Sequence, residues 1–359
     1  MALITCNECG NQVSNRAASC PKCGFPIHDE VAAATEYMES VSDHYSYEQR
    51  NFTGITNHIE KSPPLHIRGG ALKRWSWFLL ANIGIIFSLS IISAGALVGL
   101  APFILLFGCT FPFISLLFSK ALAKRAHKMY IINPDQFQSE EEKSLYELVS
   151  SLCAKAGMKK MPEVGIYDSP DVNAFATGPS KNSSLVAFSS ALLDEMDEKA
   201  IAAVAAHEIA HISNGDMVTL SLVQSVVNTI ILLITLPLTM IKWVALFNEN
   251  VSALMFFIIS IVKFLISLFL VFLGSLVVKA FSRRREFAAD KLASELINSD
   301  SMIYALESLK NDNPRVVKEQ QAYAAFKINT PEKILDIFST HPSLDRRIER
   351  LKARHEKTT

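Results

Sequence analysis

Charged residues vanish from this chain in long blocks, and the blocks set its architecture. No Asp, Glu, Lys or Arg occurs from Trp75 to Ser119. That length holds two spans of roughly 20 residues with a tight turn between them. The turn is expected near Ser93 to Gly99, where small residues cluster. A third uncharged run goes from Met217 to Ile241, and a fourth from Val251 to Val278 is interrupted only by Lys263. Such runs are too long for core helices, so four transmembrane helices are predicted. Gln224, Asn228 and Pro237 in the third run, and Lys263 in the fourth, leave open a second pair that dips in without crossing.

Between the blocks the periodicity changes. Ser139 to Lys155 reads as an amphipathic helix, with a capping box at Ser139 and Glu142 and a stripe of Leu145, Leu148, Val149 and Leu152. Three extended pieces follow: Pro162–Tyr167, Asp171–Ala176 and Ser184–Phe188. Lys199 to Ser213 is strongly helix-forming, with Asp197 as its N-cap and Gly215 at its C-terminal end. The expected fold class is α+β, helix-dominated, with a small sheet beside that last helix in an integral membrane protein. Residues 28–70 are polar without a persistent apolar stripe, so they read as a linker.

Composition then fixes placement. Half of the residues are hydrophobic and the charges balance at 35 against 35, so nothing argues for a nucleic-acid partner. Arg68, Lys73 and Arg74 precede the first span; Lys120, Lys124, Arg125 and Lys128 follow the second; Arg283, Arg284 and Arg285 follow the fourth. Under the positive-inside rule these flanks are cytoplasmic, with both termini inside and membrane lipid as a partner. No signal peptide is expected, because the chain opens on a Cys-rich polar segment.

That segment carries a metal signature. Cys6 and Cys9, then Cys20 and Cys23, form two C-x2-C knuckles, each followed by glycine. Four thiolates at this spacing close a structural zinc ribbon with no position left for water. Cys109 and Cys153 read as packed thiols.

The second signature is His207-Glu208-Ile209-Ala210-His211, an H-E-x-x-H on the predicted helix. One helical turn separates the imidazoles, so both can grip one metal ion, and Glu208 can take a proton from attacking water. Composition predicts on the order of 0.01 chance matches. A third ligand must come from elsewhere. Glu286, behind the fourth span, is one candidate, with Asp290 one turn on to hold a ligand imidazole; Asp216, Glu295 and Glu307 remain open.

Four stretches carry a resemblance to a known family: Asn173–Gly178, His207–His211 with Asn214–Met217, Ser282–Phe287 with Ala289-Asp290, and Thr340–Arg347. The chain resembles the HtpX family of bacterial membrane-bound zinc metalloproteases, in the gluzincin group that includes the CAAX prenyl protease. The resemblance implies His207, His211 and Glu286 as ligands of one catalytic zinc and Glu208 as general base. It also implies a site facing the cytoplasm at the bacterial inner membrane, where misfolded or damaged membrane proteins are the polypeptide substrates. It suggests that Asn173, Ala174, Phe175, Ala176 and Thr177 form an edge strand for substrate backbone, and that His341 steadies the oxyanion. Family members begin near the first span, so the ribbon, its structural zinc and its protein partner are additions here.

The expected organisation is a zinc ribbon at 1–27, a linker at 28–70, transmembrane helices at 71–119, and the first part of the protease domain at 120–216. Two more transmembrane helices follow at 217–280, and the second part of the domain at 281–359. Two rivals stand beside a protease: a zinc hydrolase of a small or lipidic substrate, and an inactive zinc-ribbon membrane adaptor.

Overall fold

The computed structural model describes residues 3–5, 12–14, 22, 50–65, 70–92, 98–246, 253–312 and 341–356. The chain divides into two units, Met1–Arg50 and Asn51–Thr359. In the first, strands β1 (Leu3–Thr5) and β2 (Gln12–Ser14) pair antiparallel. Cys6, Cys9, Cys20 and Cys23 lie outside the described residues.

The second unit begins with a helix in the stretch expected to be linker. Helix α1 (Thr53–Lys61) buries Ile59, with Phe52 just before it. The Phe52 amide donates to Ser144 Oγ at 2.8 Å, and the Leu65 amide donates to the Lys155 carbonyl at 2.7 Å. Residues 51–65 therefore dock on α4 (Glu140–Lys155). The buried stripe is only Phe52, Thr56 and Ile59, with two apolar members, too short for a persistent periodicity to reveal it.

Four long helices carry the apolar blocks: α2 (Ala71–Ile92), α3 (Ala101–Ala126), α7 (Asp216–Leu246) and α8 (Ala253–Leu296). By length and composition, α3, residues Asp216–Val244 of α7, and α8 could each cross a membrane. Their outer faces expose Phe107, Phe111, Ile234, Phe264 and Leu268, which suits lipid and not water. Where α3 meets α7 the backbones come close. Gly108 is buried, and a Cβ there would stand 2.8 Å from Thr229 Cα. Small residues permit this approach between apolar helices.

The charged ends of these helices converge on the folded domain. Arg74 of α2 donates to the Asn214 carbonyl at 2.8 Å, Lys120 and Lys124 of α3 pair with Glu163, and Arg285 of α8 donates to the Asp216 carbonyl at 2.9 Å. Each helical pair thus leaves the domain and returns to it.

The domain holds a four-stranded sheet in the order β3-β4-β6-β5, from β3 (Tyr130–Ile131), β4 (Glu163–Tyr167), β5 (Ala174–Ser180) and β6 (Ser183–Ser189). β4 and β6 run parallel; the outer pairings are antiparallel. The run Leu185–Phe188 is fully buried, as a central strand requires. Gly178 has φ +137° beside the register shift in β5, where a Cβ would lie 2.7 Å from Ser184 Cα.

Helix α5 (Ser190–Glu195) leads into α6 (Glu198–Asn214), whose alanine-rich run Ala200–Ala206 is buried on every side. Asp197 caps it by accepting from the Ala200 amide at 2.8 Å, and Gly215 ends it at φ +71°. It packs against β5, α8 and α9 (Ser299–Asp312), and α10 (Leu344–His355) closes over α8 and α9.

Gly108→Ile should overpack the α3–α7 contact and cost about 1–3 kcal/mol, seen as a lower thermal midpoint in detergent. Gly84→Ile, where a Cβ meets nothing within 4 Å, should leave that midpoint near the native value. Equal midpoints for the two variants would show that the close approach at Gly108 does not matter.

Candidate active site

Helix α6 brings His207 and His211 to one face, and α8 brings Glu286 opposite them. The two Nε2 atoms are 3.1 Å apart; Glu286 Oε2 lies 3.6 Å from His207 Nε2, and Oε1 lies 3.6 Å from His211 Nε2. Donor atoms of all three residues lie within 4.8 Å of one another. Around tetrahedral zinc with bonds near 2.0–2.1 Å, neighbouring ligand atoms are about 3.3 Å apart. The triangle fits that ion in size and in donor chemistry.

The outer ring nitrogens are held as well. His207 Nδ1 faces Asp290 Oδ1 at 3.0 Å, and His211 Nδ1 faces Asp216 Oδ2 at 2.7 Å. An imidazole that donates from Nδ1 to a carboxylate leaves the Nε2 lone pair free to bind a cation. The left-handed turn at Gly215 breaks α6 from α7, and Asp216, the first residue of α7, reaches back to His211.

Charge gives a second test of fit. Glu208, Asp216, Glu286 and Asp290 are all buried, and among the described residues one buried guanidinium, Arg347 of α10, stands against them. Arg347 forks onto Asp290, Nε to Oδ2 at 2.8 Å and Nη2 to Oδ1 at 2.6 Å. Buried carboxylates in excess call for a further cation.

Proton affinities express the same imbalance. Burial and the Arg347 charge oppose protonation of His207, but hydrogen bonds to Asp290 and Glu286 prevail and push its pKa up to about 9. Burial works against ionised Glu286, yet hydrogen bonds from His207 and His341 hold it well below the usual carboxylate range. Burial also opposes ionised Asp290, and Arg347 and His207 outweigh it, bringing it down to about 2. Glu208 goes the other way: burial raises it, and neighbouring charges only partly compensate. A carboxylate so raised is better matched to taking up a proton near neutral pH.

Of the four third-ligand candidates, only Glu286 turns its oxygens toward both Nε2 atoms. Asp216 turns to His211 Nδ1, while Glu295 pairs with Arg354 and Glu307 with Lys352 at the surface. His341 is mostly exposed, with Nδ1 3.1 Å from Glu286 Oε2. β5 lies at the sheet edge, paired among the described strands only with β6; Asn173, just before it, accepts from the Ser189 amide at 2.9 Å. Phe175 packs its ring against His127 and Tyr167. The sequence reading gave Arg347 no role, although it ends one of the stretches carrying the resemblance. The available signal was electrostatic: a buried Asp290 needs a cationic partner.

A family profile described as Peptidase family M48 matches residues 139–355. The Protease HtpX homolog of Bacillus licheniformis is 43% identical over 302 residues, covering 79% of this chain and 99% of that protein. Protease HtpX of Shewanella pealeana is 38% identical over 277 residues, covering 77% and 95%. Among solved structures, the crystal structure of S. mikatae Ste24p has a TM-score of 0.50 at 14% identity, over 89% of this chain and 73% of that one, a likeness of fold.

Asp290→Asn should weaken zinc binding about 10–100-fold by loosening His207, measured by competition with a chromogenic chelator. An unchanged affinity would remove Asp290 from the support of that ring.

Proposed function

Since this chain belongs to peptidase family M48, as a membrane-bound zinc metalloprotease, we propose that it is an endopeptidase working at the cytoplasmic face of the bacterial inner membrane on misfolded or damaged membrane proteins. The observation that carries the reading is the triangle of His207, His211 and Glu286 with Glu208 beside it on α6. Those three residues hold the catalytic zinc, with Asp290 orienting His207 from behind. When bound, zinc supplies polarisation of the scissile carbonyl and a more acidic water. Glu208 accepts the proton of the attacking water and passes it to the leaving amine. His341, beside Glu286, donates toward the charge developing on the carbonyl oxygen.

Edge strand β5, from Asn173 through Ala174, Phe175, Ala176 and Thr177, takes an extended substrate backbone by main-chain pairing, which suits a protease with varied targets. Helices α2, α3, α7 and α8 cross as two hairpins, and the basic flanks that meet the domain keep it on the cytoplasmic side. Residues 1–27, outside the matched family region, form a ribbon around a structural zinc that recruits a substrate or partner protein. Neither a lipidic substrate nor an inactive adaptor gains support: the family is one of peptidases, and Glu208 is intact.

Glu208→Gln should abolish cleavage of an unfolded polypeptide in detergent while zinc stays bound; undiminished turnover would sink the assignment of the base. Metal analysis separates the two sites. Glu286→Ala should lose the catalytic ion and all activity, whereas Cys6→Ser with Cys9→Ser should lose only the other ion and keep cleavage of a small unfolded substrate. A catalytic ion retained in Glu286→Ala would point to another carboxylate.

Topology has its own check. Single cysteines placed near Arg125, His211 and Arg285 should all label with a membrane-impermeant maleimide in inverted vesicles and stay protected in intact spheroplasts. Labelling of the His211 and Arg285 neighbourhoods from opposite sides would rule out one shared site.

A further inference from the structure

A cleft of about 450 Å³ lies at the C-terminal end of α6, lined by Arg74, Trp75, Lys159, Lys181, Ser213 and Gly215 among others. No Asp or Glu is among the residues that line it. Arg74 Nη1 donates to the Asn214 carbonyl at 2.8 Å and Lys181 Nζ donates to the Ser213 carbonyl, so both cations sit on the negative pole of α6. They also close on one glycine. A Cβ at Gly215 would stand 2.8 Å from Arg74 Nη2 and 3.3 Å from Lys181 Cε. The nearest carboxylate along the chain, Asp216, attracts Lys181 but is turned to His211.

Capping a helix end does not exhaust these groups. A guanidinium carries five N–H donors and an ammonium three. The bonds that Arg74 and Lys181 make to α6 use one N–H of each, and Lys159 adds a third cation from the turn after α4. Convergent cations with spare donors, unopposed by a carboxylate at the wall, suit a phosphate with several anionic oxygens.

The level of the cleft on the helices narrows the source. Arg74 is the last charged residue before the uncharged run that opens at Trp75, and Val218, another lining residue, stands at the start of the run that opens at Met217. The cleft therefore straddles the boundary from charged to apolar surface on both α2 and α7. Trp75 has the amphipathic ring favoured at a membrane interface. We propose that this cleft binds the phosphate headgroup of an anionic phospholipid, whose acyl chains lie along the apolar faces of α2 and α7. The inference rests on the reading that both helices enter the membrane here. The cleft volume suits a headgroup, since small-ligand sites run from about 300 to 1,000 Å³.

The test uses the full chain with Trp77→Phe and Trp243→Phe, leaving Trp75 as the only tryptophan. Reconstitution is into phosphatidylcholine vesicles carrying a minor fraction of acyl-brominated phosphatidylglycerol or, in parallel, acyl-brominated phosphatidylcholine. Each cation facing an anionic headgroup changes its partition about fivefold, so brominated phosphatidylglycerol should quench Trp75 several-fold more strongly. With Lys159→Gln and Lys181→Gln the preference should fall to no more than the roughly fivefold that Arg74 alone can give, while cleavage of an unfolded substrate in detergent stays native and reports an intact fold. Lys159→Gln alone, which leaves the donors to α6 in place, should lower the preference part of the way. Equal quenching by both lipids in the parent chain overturns the site while leaving the helices in the membrane. No quenching by either lipid overturns the membrane placement beneath it. Inorganic phosphate is added against sodium chloride of equal ionic strength. Loss of the preference in phosphate alone assigns the cleft to a soluble anion and overturns the lipid, and its persistence supports the lipid.

Discussion

Four carboxylates buried around two imidazoles, with Arg347 as the one buried guanidinium among the described residues there, form a charge excess that the rest of the domain has to accommodate. Like charges in a poorly polarisable interior are tolerable only when each is paired or shared with a cation. Asp290 is paired with Arg347 and His207, and Asp216 with His211. Glu208 answers burial with a raised proton affinity, and Glu286, met from outside by His341 at 3.1 Å, faces the two Nε2 atoms across a gap sized for zinc. The rise in the His207 pKa, carried by Asp290 and Glu286 against burial and Arg347, expresses the same need.

Meeting that need requires groups from distant parts of the chain to be held at fixed separations. The 44-residue α8 does most of this, carrying Glu286 and Asp290 on a rod that continues from its apolar stretch. Helix α6, buried on all sides by small residues, can approach α8 closely enough for the imidazoles to meet Glu286. Gly215 then lets the chain leave α6 at once into α7, so that the first residue of one helix supports a histidine of another. The membrane helices and the site are in this sense one construction.

The same junction explains the cleft at the end of α6. Arg74 and Lys181 satisfy the last carbonyls of the helix that bears the histidines, at the level where α2 and α7 become uncharged. A headgroup there would contact Ser213 and Gly215, between His211 and the Asp216 that holds it.

Local pattern was enough to specify much of this protein. The H-E-x-x-H spacing, the caps at Ser139 and Asp197, the glycine stop at 215 and the long uncharged runs all act within a few turns of one helix, where covalent spacing fixes what faces what. The three expected strands also form, though β5 starts later than expected and the two-residue β3 was too short to signal itself. Tertiary structure decided the rest. Which of Asp216, Glu286, Glu295 and Glu307 faces the histidines depends on how α8 packs on α6; the residues by themselves left the four open, and the resemblance pointed to Glu286. The docking of residues 51–65 on α4, and the reach of Arg347 from α10 to Asp290, are likewise contacts between distant segments. Each is selected by burial and charge compensation in the assembled domain, quantities that exist only once the chain has folded.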